Sequence, residues 1–210
     1  MIRVVLVDDH ALIRRGLRET LCETVDIEVV GEAGSYGELR ALLRDLQCDV
    51  IMLDVNLPGR NGLEILEALA VTGNTARAIV LSQHPEDQYG IRALRSGAMA
   101  YLNKAADPAR LIEAVRTVAG GRRYLTPEVA HLLLDTVTGK LASVPHDQLS
   151  EREMQTLLMI ASGRRLSEIA RALALSPKTV SVYRARIIEK LGVSGNAGLA
   201  SYALRHGLID

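Results

Sequence analysis

Three carboxylates, one hydroxyl and one amine follow short apolar runs in the first half of the chain. If those runs are neighbouring strands of a parallel sheet, these side chains meet at the edge formed by the carboxyl ends of the strands. Clustered carboxylates repel one another, so the site requires a cation. Carboxylates, a backbone carbonyl and water suit Mg²⁺ better than zinc, whose sulfur and nitrogen ligands are missing from the set. The residues are Asp8 and Asp9 after the first run, Asp54 after the third, Ser82 after the fourth and Lys104 after the fifth.

One carboxylate of such a pocket can act as a nucleophile toward a phosphoryl group. A divalent cation and the Lys104 ammonium would neutralise charge on the transferred oxygens, and the Ser82 hydroxyl can donate a hydrogen bond to a third oxygen. A single Asp at the end of a strand is often only a helix N-cap. The combination of acids, hydroxyl and amine at the ends of four different strands is what indicates a phosphoryl-accepting pocket.

The elements that must position these residues alternate between β-branched runs and stretches with helical periodicity. The apolar residues of the strand-like runs are continuous rather than alternating with polar ones, which is typical of strands buried on both faces of a parallel sheet. The pattern predicts an α/β fold, a (βα)5 doubly wound parallel sheet. The predicted strands are Val4–Val7, Glu28–Gly31, Val50–Leu53, Ala78–Leu81 and Ala100–Leu102, and the predicted helices are Ala11–Leu21, Tyr36–Leu46, Gly62–Leu69, Asp87–Arg95 and Pro108–Ala119.

The rest of the chain predicts a linker and a small all-α domain. A proline at the first helical position predicts a short linker helix over Pro127–Thr136. Residues 138–148 have no clear period and are predicted to be a flexible tether. Ser150 and Glu153 have the spacing of a capping box and begin the second domain. Further helices are predicted from there to Gly163 and over Ser167–Ala174, Ser176–Leu191 and Ala197–His206, and the predicted domain bounds are 1–121, 122–146 (linker) and 147–210.

Charge divides the chain in a similar way. Residues 1–121 contain 13 Lys and Arg against 17 Asp and Glu, whereas residues 147–210 contain 9 against 6, so only the second part suits a polyanion. Trp and Phe are absent, which removes the usual stacking platforms for single strands and favours duplex nucleic acid. No apolar run approaches the roughly 20 residues that cross a bilayer, and the first strand-like run lacks the signal-peptide pattern. A cytoplasmic protein is expected.

The predicted helix Ser176–Leu191 has two opposite faces when its residues are placed at about 100° per step. Val180, Ile187 and Leu191 share the face that packs in the core, and Arg184 lies nearer that side, as a structural residue or a phosphate contact. The opposite face would enter a major groove and meet base edges and thymine methyls, while flanking residues would hold phosphates. The groove face contains Lys178, Ser181, Val182 and Ala185, and the phosphate-contacting flanks contain Lys178, Thr179, Tyr183, Arg186 and Lys190.

The strand-end residues belong to longer motifs: Val7-Asp8-Asp9-His10, Leu53-Asp54-x-x-Leu57-Pro58-Gly59-x-x-Gly62, Ser82, and Gly97-Ala98-x-x-Tyr101-Leu102-x-Lys104. Over residues 1–121 the chain resembles the receiver domain of two-component response regulators. The resemblance implies that Asp54 is the phosphoacceptor and that Ser82 and Tyr101 form a switch pair. It also implies Mg²⁺ as cofactor, with Asp9, Asp54 and the backbone carbonyl of Asn56 as direct ligands and Asp8 acting through water.

A second set of motifs occupies the C-terminal part: Leu149-Ser150-x-Arg152-Glu153, Glu168-Ile169-Ala170, Leu175-Ser176-x-Lys178-Thr179-Val180 and Lys190-Leu191-Gly192-Val193. Over about residues 148–209 the chain resembles the LuxR/NarL/FixJ-type helix-turn-helix output domain, and Ser176–Leu191 also resembles the GacA/UvrY subgroup. The chain departs from the family pattern in Arg164-Arg165-Leu166-Ser167 and in Tyr183, where a His is common.

Together the two resemblances imply a DNA-binding transcriptional regulator. A sensor histidine kinase would phosphorylate Asp54, and phosphorylation would release the recognition helix and favour homodimers on paired half-sites of double-stranded promoter DNA. In the family the last helix, here Ala197–His206, often makes the dimer contact, and RNA polymerase is a further candidate partner. The chain would not be an enzyme, apart from slow self-dephosphorylation.

Four other functions are compatible with parts of the pattern. An aspartate-nucleophile phosphatase uses the same Asp, Mg²⁺ and Lys chemistry, but its second acid would stand where Asn56 is found. A ligand-sensing LuxR-type activator is disfavoured by a polar, acidic cleft without Trp or Phe. An atypical regulator with an unphosphorylated receiver is disfavoured by the complete pocket. The C-terminal helices could also be a protein-binding module whose basic face is only solvated.

Overall fold

The computed structural model describes residues 1–57, 62–83, 86–137 and 144–209. The chain divides into two compact units, residues 1–140 and 141–210. The first unit contains a five-stranded sheet with strand order β2-β1-β3-β4-β5, in which every neighbouring pair is parallel. The strands are β1 (Ile2–Val7), β2 (Ile27–Ala33), β3 (Val50–Asp54), β4 (Arg77–Ser82) and β5 (Ala100–Asn103), and the helices are α1 (Ala11–Cys22), α2 (Tyr36–Asp45), α3 (Gly62–Val71), α4 (Glu86–Arg95), α5 (Pro108–Ala119) and α6 (Pro127–Val137).

The central strands β1 and β3 form the core of this unit. Residues Val4–Val7 and Val50–Leu53 are at most 1% exposed, which is why their apolar pattern is continuous rather than alternating. Strand order reverses between β1 and β3, so the carboxyl ends of these two strands border the crevice in which open α/β sheets bind ligands. The predicted α/β fold class is confirmed, and Asp8 and Asp54 are located at that crevice.

Helix α6 packs on α4 within the first unit. The two helices approach most closely at Gly90 and Val129: a β-carbon at position 90 would lie 2.8 Å from Val129 Cγ2. Val129 is 2% exposed, and the Thr126 hydroxyl accepts a hydrogen bond from its N–H at the start of the helix. The absence of a side chain at Gly90 therefore allows α6 to lie against α4.

The second unit is helical, and its inward-facing residues Leu157, Ile169, Val180, Ile187 and Leu199 are fully buried. Both predicted caps are present. The Ser150 and Glu153 side chains form a reciprocal capping box, and the Ser176 hydroxyl accepts a hydrogen bond from the Thr179 N–H. Its elements are a 3-10 turn (Pro145–Gln148), α7 (Glu151–Ala161), α8 (Leu166–Ala172), α9 (Pro177–Leu191) and α10 (Gly195–Arg205).

Two sequence-based expectations for this region are wrong in part. Residues 138–143 of the expected tether lie outside the described residues, but Pro145–Gln148 forms a 3-10 turn because the second unit holds it. The Lys190 ammonium donates to the Gln148 carbonyl, and His146 Nδ1 lies 3.0 Å from the Tyr202 hydroxyl. Helix α8 ends at Ala172, two residues before the expected end, since Ala174 adopts a left-handed φ of 53°.

None of the helices in the described part of the chain combines the length and apolar character that would cross a bilayer.

Candidate functional site

The carboxylates of Asp8, Asp9 and Asp54 come together at the carboxyl ends of β1 and β3. The potential metal-binding atoms of these residues and of His10 all lie within 4.8 Å of one another. Asp8 and Asp54 are each only 1% exposed, and apart from ion pairs with Lys104 the Oδ2 atom of each has no hydrogen-bond partner among the described residues. Buried carboxylate oxygens with unused lone pairs fit the oxygen ligand set of a hard divalent cation such as Mg²⁺.

The Lys104 ammonium lies between the two buried carboxylates. Its Nζ is 2.5 Å from Asp8 Oδ2 and 2.8 Å from Asp54 Oδ2, and its side chain is 8% exposed. The residue is positioned by the sheet, because its N–H donates to the Ser82 carbonyl at 2.7 Å and extends the pairing of β4 with β5. A positive charge is therefore fixed beside the acidic cluster.

Burial raises the pKa of Asp54 above its ordinary value, and the neighbouring Asp8 carboxylate raises it further. Contact with Lys104 and a hydrogen bond from the Asn56 N–H to Asp54 Oδ1, 3.0 Å long, act in the opposite direction. A cation bound by the cluster would favour the ionised carboxylate, which is the nucleophilic form.

His10 adds a nitrogen to the acidic cluster, and this corrects the sequence-based view that nitrogen ligands are missing. Its N–H donates to Asp8 Oδ1 at 2.8 Å, so the turn after β1 folds back on itself. The His10 Nδ1 atom then lies 2.7 Å from Asp9 Oδ1. His10 follows Asp9 directly in the sequence, but only the direction of this turn shows that the His10 ring lies against the Asp9 carboxylate. The His10 side chain remains 57% exposed, and the buried atoms of the site are all oxygens or the Lys104 nitrogen.

Gly62 controls the position of the backbone around Asp54. A β-carbon at position 62 would lie 2.5 Å from the Asp54 carbonyl oxygen and 2.9 Å from the Val55 Cα. The Gly62 N–H donates to the Val55 carbonyl at 2.9 Å, and the Val55 N–H donates to the Leu81 carbonyl. The start of α3 is thus packed directly on the end of β3, a contact that only glycine permits.

Ser82 and Tyr101 lie on adjacent strands near the pocket. Ser82 pairs with Asn103 in the ladder between β4 and β5, and Tyr101 precedes Asn103 by two residues, so the Ser82 and Tyr101 side chains are on the same face of the sheet. Ser82 is fully buried and Tyr101 is 2% exposed. Their predicted role as a switch pair stays a prediction.

Arg14 on α1 is a functional candidate that the sequence motifs do not include. The Arg14 guanidinium donates from Nη1 to the Asp8 carbonyl and from Nε to Glu32 Oε2 on β2. Nothing in the sequence identifies the pair, because the two residues are brought together only by the packing of α1 on β2. Asp8 is therefore held through its backbone as well as through its side chain.

The exposed face of α9 contains the predicted DNA-contacting residues. Val180, Ile187 and Leu191 form the buried stripe, as expected, and Thr179 and Tyr183 are half-buried. The exposed residues are Lys178, Ser181, Val182, Ala185, Arg186 and Lys190.

Several of these polar groups already have partners in the second unit. The Lys190 ammonium lies 2.6 Å from Glu153 Oε2, the Ser181 hydroxyl donates to the Pro177 carbonyl, and Arg184 donates from Nε to Asn196 Oδ1. Lys190 is thus joined to the interior of its own domain, which the sequence did not suggest. In the described part of this unit no acid lies within ion-pair distance of the basic side chains of Arg164, Arg165, Arg171, Lys178 and Arg186.

Residues 4–116 match the family described as the response regulator receiver domain, and residues 147–203 match bacterial regulatory proteins of the luxR family. The chain belongs to the response regulators. Over its full length it is 40% identical to the response regulator GacA of Pseudomonas viridiflava and 38% identical to the response regulator UvrY of Escherichia coli K12, with 99% and 97% of those proteins covered. The predicted resemblance to the GacA/UvrY subgroup is confirmed.

Solved structures of response regulators share this architecture. RcsB from Salmonella enterica serovar Typhimurium, bound to promoter P1flhDC in the presence of phosphomimetic BeF3⁻, is 25% identical with a TM-score of 0.67, covering 96% of this chain and 97% of RcsB. The response regulator ChrA of a heme-sensing two-component system is 33% identical with a TM-score of 0.53, covering 99% and 98%. This response regulator therefore combines a receiver with a LuxR-type DNA-binding domain, the domain set of a transcriptional regulator.

Proposed function

We propose that Asp54 accepts a phosphoryl group from a sensor histidine kinase and that this modification controls the binding of α9 to promoter DNA. The observation that carries the proposal is the position of Asp54: a buried carboxylate whose Oδ2 is 2.8 Å from the Lys104 ammonium and which lies beside Asp8 and Asp9. In the transfer, an Asp54 oxygen forms a bond to phosphorus while the bond between phosphorus and the donor imidazole nitrogen breaks.

Mg²⁺ fits the ligand set of this pocket. Asp9, Asp54 and the Asn56 backbone carbonyl would hold it directly, with Asp8 acting through water, and the bound ion would supply positive charge opposite the phosphoryl oxygens. Lys104 neutralises further negative charge on these oxygens, and burial of Asp54 limits access of water. Asn56 follows the acceptor by two residues and is a poor general acid or base, so self-dephosphorylation would be slow.

The signal would leave the pocket through Ser82 and Tyr101. The Ser82 hydroxyl would donate a hydrogen bond to a phosphoryl oxygen, and Tyr101 would change its packing as Ser82 moves. We infer that residues 1–121 act as the receiver, residues 122–146 as the linker and residues 147–210 as the DNA-binding domain, which works as a homodimer once Asp54 is phosphorylated. Promoter DNA as the target implies a cytoplasmic protein, with RNA polymerase as a further partner.

The α9 surface supports the DNA-binding part of the proposal. Lys178 and Arg186 are exposed and without an ion pair in the described part of the chain, so they are available to phosphates. Val182 is 43% exposed and suits contact with thymine methyls. The predicted contacts are Lys178, Thr179, Ser181, Val182, Tyr183, Ala185, Arg186 and Lys190.

The phosphorylation is tested with acetyl phosphate and Mg²⁺ on the full chain, read by intact mass and by elution volume. We expect the mass of one phosphoryl group and a shift toward dimer. Asp54→Ala should abolish both, whereas Asp45→Asn, a change of an exposed acid on α2, should leave both intact. Absence of modification in the wild type would contradict the proposal and would favour a regulator that is controlled in another way.

A further inference from the structure

We propose that Arg14 is a positioning residue for the divalent-cation site, which it supports by fixing the peptide group between Asp8 and Asp9. The inference rests on the proposed function, since it concerns the same acidic pocket. It assigns a role to a residue that does not touch the phosphoryl group and whose side chain lies on α1.

The turn that carries the acids is fixed at three points. The Asp8 N–H donates to the Ala33 carbonyl at 3.1 Å, and Asp8 Oδ1 accepts from the His10 N–H at 2.8 Å. The Asp8 carbonyl accepts from Arg14 Nη1 at 2.5 Å. The first two contacts hold Asp8, but the third fixes the plane of the peptide that leads into Asp9. Because Asp9 is exposed and its carboxylate otherwise contacts only His10 among the described residues, this peptide plane largely determines where the Asp9 carboxylate points.

Arg14 is itself held in place from β2. Its Nε donates to Glu32 Oε2 at 3.2 Å, and Arg18 donates to the other oxygen of the same carboxylate at 2.6 Å. The hydrogen bond from Arg18 is the largest effect that lowers the pKa of Glu32, and burial opposes it only in part, so Glu32 stays ionised at neutral pH. The Arg14 side chain is 20% exposed, less than half the exposure of the Arg18 side chain. The guanidinium fork thus connects β2 to the Asp8 carbonyl.

Gly34 lies beside this connection. A β-carbon at position 34 would stand 3.6 Å from Arg14 Nη1 and 3.9 Å from the Asp8 carbonyl oxygen. The Gly34 N–H donates to Glu38 Oε2, which keeps the β2–α2 turn beside Arg14. The contact is therefore bordered by α1, the β1–α1 turn and the β2–α2 turn.

The charge of Arg14 and its positioning role predict opposite effects of its removal on Mg²⁺ binding. A cation near the acidic pocket repels Mg²⁺, so removal of Arg14 or of Arg18 would strengthen Mg²⁺ binding if only charge mattered. Loss of a residue that orients a metal ligand weakens binding, by roughly 10–100-fold in known metal sites. Substitution by Lys separates the effects, because Lys keeps the charge but has one ammonium in place of a fork that reaches two acceptors at once.

The test compares Arg14→Lys with Arg18→Lys in the full chain, where Arg18 shares Glu32 but does not contact Asp8. The first readout is the Mg²⁺ concentration that gives half of the maximal thermal stabilisation, and the second is the acetyl phosphate reaction rate as a function of Mg²⁺. We expect Arg14→Lys to raise the half-saturating Mg²⁺ concentration about tenfold in both assays, with a nearly normal rate at saturation. Arg18→Lys should behave as wild type.

Equal Mg²⁺ requirements for wild type and Arg14→Lys would overturn the proposal, as would an equal loss in Arg18→Lys. Arg14→Ala gives a second measurement: a higher Mg²⁺ requirement supports positioning, and a lower one shows that only charge acts. If the wild type itself shows neither Mg²⁺ stabilisation nor phosphorylation, the proposed function fails rather than the role of Arg14.

Discussion

The Lys190 ammonium lies 2.6 Å from Glu153 Oε2, which joins the last turn of α9 to the capping box that begins α7. Glu153 is only 2% exposed, and the same oxygen accepts a hydrogen bond from the Ser150 N–H at 2.7 Å. The Lys190 ammonium also donates to the Gln148 carbonyl. A residue that the sequence assigns to DNA phosphates is thus also a structural partner within its own domain.

Substitution of Glu153 by Gln should make the second unit less stable in a pH-dependent way. Burial acts to raise the pKa of Glu153, but the hydrogen bonds from Lys190 and Ser150 outweigh it and lower the pKa below the ordinary value. A lowered folded-state pKa stabilises the fold above the unfolded-state pKa, near 4.3 for Glu, and that contribution is lost as pH falls through the folded-state pKa.

The free energy of unfolding of Glu153→Gln should therefore be about 1–3 kcal/mol smaller than that of the wild type at pH 7, with the difference shrinking below about pH 4. Urea unfolding followed by circular dichroism at a series of pH values measures it. Glu189→Gln, an exposed acid on α9, is the control. A difference that stays constant between pH 7 and pH 3 would show that the ionised carboxylate is not responsible.

Gly62→Ala should displace the backbone around Asp54. The new methyl group would meet the Asp54 carbonyl oxygen at 2.5 Å, so α3 or the end of β3 must shift, at a cost of roughly 1–3 kcal/mol. Because Asp54 moves with its backbone, we expect slower phosphorylation by acetyl phosphate as well as a lower melting temperature. Gly16→Ala on α1 has open space around its β-carbon, so it should leave phosphorylation unchanged and should not lower the melting temperature. Normal phosphorylation of Gly62→Ala would mean that the pocket tolerates the shift.

Lys104→Met should make the receiver dependent on a divalent cation for stability. Without the ammonium, two buried carboxylates lose their charged partner, and broken buried ion pairs typically cost about 3–5 kcal/mol. Mg²⁺ replaces part of the lost charge, so the melting temperature should rise more with Mg²⁺ in Lys104→Met than in the wild type. Chelation by EDTA should reverse the gain. An identical Mg²⁺ response in the two proteins would contradict placement of the ion beside Asp8 and Asp54.

Among the cations of the second unit, Lys178 and Arg186 should matter most for DNA. Alanine at either position should weaken binding to duplex DNA uniformly across sequences and reduce the salt-dependence slope by about 1. Arg205→Ala, whose Nε donates to the Ser201 carbonyl on α10, is the matched control. Titration of a fluorescent duplex at several salt concentrations provides the measurement, and equal slopes for wild type and Lys178→Ala would remove Lys178 from the interface.

The pocket residues that lie at the ends of strands could be predicted from the sequence. Asp8 and Lys104 each follow a buried strand and Asp54 ends one, and parallel pairing alone brings them together. The capping residues Ser150 and Ser176 were predictable for a similar reason, because capping depends on residues three positions apart. Features of this kind depend on residues that are close in the sequence, so the sequence pattern is enough to predict them.

Contacts between distant segments could not be predicted in this way. Arg14 meets Glu32 and the Asp8 carbonyl only after α1 packs on β2, and Lys190 meets Glu153 only after α9 packs on α7. The 3-10 turn at Pro145–Gln148 has the same origin, since its partners Lys190 and Tyr202 lie on later helices. The side chains involved are long or exposed ones whose position along the sequence does not reveal a partner.

The close contact between Gly90 and Val129 couples the position of α6 to that of α4. Val129 fits into a space that exists only because position 90 carries no side chain, so α6 cannot slide along α4 without losing that fit. A displacement of α4 would therefore move the start of α6 in the same direction. Movement of α6 is thereby coupled to movement of α4, the helix that follows Ser82. A single added methyl group at position 90 would break this coupling, because it would push Val129 away from α4.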